Sequence, residues 1–215
     1  GVKVGVCQNK KYTPITLTLS RLIRNEVYGK PSFGMFASLG WRKKGVHHSG
    51  EDDHAYAWER GIHDFDSMRF IFGQIPKRVW AHSFNPQWSP YKGGAGLHGW
   101  VEFENGVTCG YLHCFESHKG ASICRVDCEG GTLAIEGGKL TLTHREKSEV
   151  EEIPLDDCPD STVAIMDQWL KYLNDDVEPE FSGRQNLATV AMVESCEVAS
   201  DEGRVVDFQR FLADA

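Results

Sequence analysis

The chain has 215 residues, with 31 acidic against 23 basic side chains and a formal net charge of −8. That length suits one large domain with a core of its own, while the acidic balance excludes the basic stripe that nucleic-acid binding requires. No apolar run approaches the ~18 residues of a spanning helix and no signal peptide opens the chain, so no membrane is expected.

In chain order, a β-rich run over Val2–Val6 opens the sequence, as if in the middle of a longer polypeptide. Thr13 and Pro14 then form a helix start, because proline at the first helical position loses no hydrogen bond. Ile15, Leu19, Leu22 and Ile23 recur at helical spacing, and Gly29 with Pro31 stops the run. A strand is predicted over Ser32–Trp41, a polar loop over Arg42–Asp53, and a second helix over His54–Phe72, ended by Gly73.

From Pro76 the pattern turns to strands. Val101 and Phe103 alternate with Trp100, Glu102 and Glu104, and Asn105-Gly106 supplies a hairpin turn before a return strand over Val107–Phe115. Further strands are predicted over Ser122–Cys128, Thr132–Ile135, Lys139–Thr143 and Val150–Ile153. Tight turns between them imply antiparallel pairing. Two helices follow, with apolar stripes Val163, Met166, Leu170, Leu173 and Leu187, Val190, Ala191, Val198. Grouped strands with helices at both ends give an α+β domain whose helices cover one face of an antiparallel sheet.

The most informative stretch is Glu59-Arg60-Gly61-Ile62-His63-Asp64-Phe65-Asp66. On a helix, Glu59, His63 and Asp66 share one face, while Ile62, Phe65, Met68 and Phe72 turn to a core. A carboxylate one turn from an imidazole orients the ring and raises its pKa, the arrangement of a proton-transfer pair. The same spacing also fits a solvated charged face. His47, His48, Asp52, Asp53 and His54 offer metal-ligand chemistry, but no helical His pair or Cys pair completes a shell, so a solvated loop is the simpler account. His113 and His118 flank Cys114 where a strand-terminal surface is expected. Trp41, which ends a strand ahead of Arg42, is the aromatic best placed to stack on a sugar ring. The seven cysteines, none in a CxxC pair, read as reduced thiols in a cytoplasmic protein. No GxGxxG follows a strand and no GxxxxGK[ST] is present, so the chain carries no recognisable nucleotide cradle of its own.

The ordered motifs resemble the C-terminal domain of the Gfo/Idh/MocA oxidoreductases. Asn9-Lys10-Lys11-Tyr12-Thr13-Pro14 is similar to the segment leaving that family's nucleotide domain, and Ile23 through Gly29-Lys30-Pro31 to its helix exit into the first strand. Gly61-Ile62-His63-Asp64-Phe65-Asp66 with Arg69 and Gly73 is similar to its "DxGxHxxDxxRxxxG" helix, and Glu194–Ser200 with Gly203 to its closing helix.

The resemblance implies a large open, mostly antiparallel sheet with helices packed on one face, and the family's N-terminal Rossmann domain lacking. It implies a single domain over 1–215, in which 1–12 is the residual connection from the nucleotide-binding domain. It implies oxidation or reduction of a hydroxyl carbon of a sugar, inositol or related polyol, with NAD or NADP bound mainly by the missing half. This chain alone would then be redox-inactive. By position, His63 matches the catalytic histidine, and Glu59 stands where many members have Asp. Tyr12, Trp41, Arg42 and Asp66 fall in substrate-lining segments. The open sheet face would make a homo-oligomer interface. A standalone carbohydrate-binding or assembly module without catalysis is the competing expectation.

Overall fold

Thirteen residues into the chain the backbone commits to its first helix, α1 (Pro14–Arg24), and the apolar face foreseen at Leu19, Leu22 and Ile23 is buried. The computed structural model describes residues 1–42, 51–147 and 149–214. The opening run at Val2–Val6 does not form a strand; Gly5 makes an isolated bridge to Ser182, and among the described residues no strand pairs with exposed Val2 and Val4 to complete a ladder.

After α1 come β1 (Pro31–Trp41), α2 (Ile62–Phe72), β2 (Pro76–Phe84), β3 (Gly96–Phe103) and β4 (Thr108–Cys114). The long β5 (Glu116–Cys128), β6 (Gly131–Glu136), β7 (Lys139–His144) and the short β8 (Val150–Glu152) follow. Then α3 (Ser161–Asp175) and α4 (Gly183–Glu202) lead to β9 (Val206–Asp207) and α5 (Phe208–Asp214). The result is α+β, built on one open nine-stranded sheet in the order β8-β7-β6-β5-β1-β4-β3-β2-β9.

Every neighbouring pair is antiparallel except β1 with β4. That parallel pair exists because β1 is inserted between the hairpin partners β4 and β5, and the chain reaches β4 only after α2, β2 and β3. A parallel neighbour requires such a long crossover. The sheet is thus mixed rather than a simple meander. The hairpin between β3 and β4 turns at Asn105-Gly106, where Gly106 takes φ +85° and the Asn105 side chain accepts from Val107 N at 3.2 Å.

One face of the sheet carries the core. Phe36, Val79, Val101, Phe103, Tyr111, Leu133 and Leu142 meet α1, Phe65, Met68 and Phe72 of α2, and Met192, Val193 and Cys196 of α4. On α4 the buried set therefore includes Thr189, Met192, Val193, Cys196 and Ala199, whereas Leu187 of the expected stripe is exposed. α3 departs further: Val163, Met166, Leu170 and Leu173 all face outward, and Ile165 is its buried residue. The helix lies beside the N-terminal turn, where Ile165 joins Tyr12 and Phe181 in a small second core. The opposite sheet face leaves Phe33, Met35, Leu112 and Ile123 exposed.

Candidate functional site

The second helix begins irregularly. Ala57–Gly61 form a turn of π-helix that runs directly into α2, a widened turn of the kind that often marks functional positions. It follows Tyr56, which is fully buried. Gly73 closes α2 in the left-handed conformation at φ +61°, its N–H bonded to Arg69 O at 2.8 Å.

His63 sits half-buried in the first turn of α2. Its pKa lies below the ordinary 6.5, first because burial disfavours the imidazolium and then because Arg60 and Lys10 repel it, against the opposing pull of Asp64 and Asp66. The expectation that a neighbouring carboxylate raises this pKa is thereby reversed, because desolvation outweighs the nearby acids. At neutral pH the ring is uncharged and able to accept a proton.

Beside it, Asp64 turns inward and is 2% exposed. Its Oδ2 lies 3.1 Å from His113 Nδ1 and accepts from the Tyr56 hydroxyl at 3.2 Å. Tyr56 also lies 2.9 Å from His113 Nδ1, and Lys10 pairs with Asp64 Oδ1. Burial opposes the charge on Asp64, but His113 and Lys10 more than offset it and hold the carboxyl below its usual range. His113 is therefore a buried residue of the site and not a surface strand end: Cys109, Tyr111 and His113 alternate onto the core face of β4. His118 lies elsewhere, stacked on Trp88 at 5.0 Å between centroids.

The other residues singled out by the sequence fall into two places. Trp41 and Arg42, at the end of β1, line a cavity of about 180 Å³ together with Tyr56, Arg60 and Phe115. Arg42 pairs with Glu59 and its guanidinium lies over the Phe115 ring, 4.6 Å from the centroid. Trp41 is 63% exposed. Tyr12 and Asp66 lie apart from that cavity. The Tyr12 hydroxyl meets Gln168 Oε1 at 3.4 Å inside the second core, and burial drives its pKa well up. Asp66 is buried against Lys11 at 3.2 Å and accepts from Thr189 at 3.3 Å. Burial raises its pKa in spite of Lys11. It borders a second polar cavity with Lys11, Arg24, Arg69 and Glu180.

Of the metal-ligand candidates, His47 and His48 lie outside the described residues. Asp52 and Asp53 are exposed; Asp53 pairs with Lys92 at 3.5 Å, and His54 with Asp201 at 3.1 Å. Among the described residues no group of three or more His, Cys, Asp or Glu side chains could hold a metal, and no helix is long and apolar enough to cross a membrane.

Lys10, Tyr56, Arg60, Asp64 and His113 were not picked out from the sequence as a site. Asp64 and Arg60 flank His63 closely enough to be suspected, but helical phase alone does not say that Asp64 turns inward. Tyr56 and His113 are separated by 57 positions, and only the sheet brings them together.

The residues from 16 to 134 match the model of the GFO/IDH/MocA C-terminal domain. The chain belongs to this family. A D-apiose dehydrogenase of Paraburkholderia graminis is 26% identical over 234 residues, covering 100% of this chain and 62% of its own length. An oxidoreductase from Agrobacterium radiobacter, solved in complex with NAD+, L-tartaric acid and magnesium, superposes with a TM-score of 0.84 at 21% identity. That match covers 97% of this chain and 66% of the other. An aldose-aldose oxidoreductase from Caulobacter crescentus, complexed with glycerol, gives a TM-score of 0.82 at 15% identity, covering 95% of this chain and 64% of the other. The chain thus spans under two thirds of the length of these curated relatives.

Proposed function

We propose that these residues form the substrate-binding and oligomerisation domain of an NAD(P)-dependent oxidoreductase that acts on a hydroxyl carbon of a sugar, inositol or related polyol. The observation that carries this reading is His63: a half-buried imidazole on α2, next along the helix to Asp64 of the buried Asp64–His113–Tyr56 group, with its pKa held below the ordinary value by burial. An imidazole beside the Arg60 that lines the Trp41–Arg42 cavity can take the proton of a hydroxyl as that carbon is oxidised, and return it in the reverse direction.

Among the described residues no strand passes through a glycine-rich turn into a helix, the arrangement that cradles a dinucleotide diphosphate. The residues present therefore do not fit the cofactor, and we assign its binding to sequence outside these 215 residues. A nicotinamide bound there would supply the hydride chemistry. The contribution of this chain is to bind the substrate, orient it and hold its proton. Trp41 offers an exposed ring face to a sugar, while Glu59 fixes Arg42 across the cavity mouth. Tyr12 and Asp66 support the site from behind, by anchoring the segment before α1 to α2, α3 and α4.

The outward apolar stripe of α3 is the face we assign to docking of the nucleotide-binding part, and the exposed sheet face to a second copy, since contiguous apolar surface of this kind marks association. Cysteines without a disulfide accord with a cytoplasmic setting.

The test uses the longer protein that carries this chain. Nicotinamide-dependent turnover of a panel of sugars and polyols, lost in His63→Ala, supports the reading. Calorimetric sugar binding with no turnover under any cofactor would instead favour a carbohydrate-binding module.

A further inference from the structure

We propose that Arg60 anchors a carboxylate of the substrate in the Trp41–Arg42 cavity, so that the compound oxidised at His63 is an acidic sugar. This inference rests on the reading of His63 given above, and it names the substrate class for that site.

Arg60 is exposed and contributes to the cavity wall. Among the described residues it has no ion-pair or hydrogen-bond partner. Its neighbours differ in this respect. Arg42, on the same cavity, is matched by Glu59 and seated on Phe115. Asp64, the buried acid in the next turn, is occupied by Lys10, Tyr56 and His113. Among the described residues the cavity therefore carries one positive charge without an opposing partner.

A guanidinium has five donors in a planar fork that fits a carboxylate edge-on, and such charge-assisted pairs are the strong class of hydrogen bond. The one unmatched guanidinium among the described residues suits the single charge of a carboxylate better than a phosphate dianion. The cavity, at about 180 Å³, is smaller than the roughly 300–1,000 Å³ typical of drug-sized ligands, so its guest is one small molecule.

Position links this anchor to the chemistry. Arg60 stands in the π-helical turn three residues before His63 and lies close enough for its charge to act on that imidazole. An acid group held by Arg60 thus leaves a hydroxyl of the same small molecule within reach of the imidazole. Trp41 supplies the apolar surface on which the ring between them can lie.

The experiment compares matched pairs that differ only in the acid group, D-glucuronate with D-glucose and D-galacturonate with D-galactose, in the longer protein that carries this chain. Both calorimetric affinity and the ratio of kcat/KM for acid over neutral partner are measured. At least one acid should bind more tightly than its neutral partner, and Arg60→Met should lower the acid-to-neutral ratio about ten-fold or more, as loss of a charged hydrogen bond does. Arg60→Lys should retain part of the preference, which should also fall with added salt. Equal affinity within each pair, or a preference that Arg60→Met leaves unmoved, overturns the proposal whatever the turnover. Loss of acid binding in Arg60→Met alongside undiminished turnover in His63→Ala would instead keep the anion anchor and sink the role given to His63.

Discussion

Asp64 Oδ2 stands 3.1 Å from His113 Nδ1, although one residue lies on α2 and the other on the central strand β4. The Tyr56 hydroxyl touches both, and Lys10 closes the carboxylate from the solvent side. The group pins the helix that carries His63 to the sheet. Removing one member of a buried, paired group leaves the rest desolvated and unsatisfied. Asp64→Asn should therefore cost about 3–5 kcal/mol in denaturant unfolding. Because the folded pKa of Asp64 is depressed, its contribution is complete above the usual carboxylate range and is lost as pH falls through the lower folded value. The stability gap between wild type and Asp64→Asn should close on acidification below that range; a gap that stays constant would show that the charge of Asp64 is not what stabilises.

On the proposed reading, the depressed pKa of His63 sets the expected pH profile of turnover. In the direction of hydroxyl oxidation, kcat/KM should fall as pH drops through a value below 6.5, where the imidazole becomes charged and can no longer accept a proton. Lys10→Met removes a repelling cation and unmasks Asp64, and both changes favour the imidazolium, so the midpoint should move up. His63→Ala should lose the step and about 10²–10⁴-fold in rate. A midpoint unmoved by Lys10→Met would argue against this electrostatic account.

Lys11 and Asp66 are both buried and face each other at 3.2 Å. Lys11→Met alone should destabilise by about 3–5 kcal/mol, because it leaves a desolvated carboxylate. The double change Lys11→Met with Asp66→Leu should recover much of that loss, since an apolar pair avoids the burial cost that already raises the Asp66 pKa. Thermal unfolding of the single and double variants tests this through their coupling. Additive losses would show that the pair does not interact.

The open sheet face predicts association. Leu112 and Ile123 both pair in register with Ala37, from opposite sides of β1, and with Phe33 and Met35 they form an exposed apolar patch. Leu112→Arg together with Ile123→Lys should lower the sedimentation mass to that of a monomer without loss of folded signal. A wild-type protein that is already monomeric would dispose of the interface.

Local patterning carried much of the architecture. The apolar spacing of α1, the strand alternation around Val101 and Phe103, the Asn105-Gly106 turn and the Gly73 stop are decided by neighbours a few residues apart, and such signals are readable along the chain. The ordered motif around His63 was legible for the same reason, and with it the family. Less accessible were features that depend on what the rest of the chain covers. The stripe of α3 has helical periodicity, yet periodicity cannot say whether a surface exists to bury it. The run at Val2–Val6 has β-forming residues but no ladder partner. The parallel β1–β4 pair depends on where β1 inserts in the sheet.

The sequence by itself determined the kinds of element, their order and the motif that sets His63 on a helix, because each rests on local backbone preference and side-chain period. Only the tertiary structure decided which acid ties that helix to the sheet. Asp64 rather than Glu59 reaches His113, while Glu59 is drawn to Arg42 at the end of β1. That choice lies in contacts between distant parts of the chain, where burial and charge pairing are settled together and no spacing rule along one helix can express them.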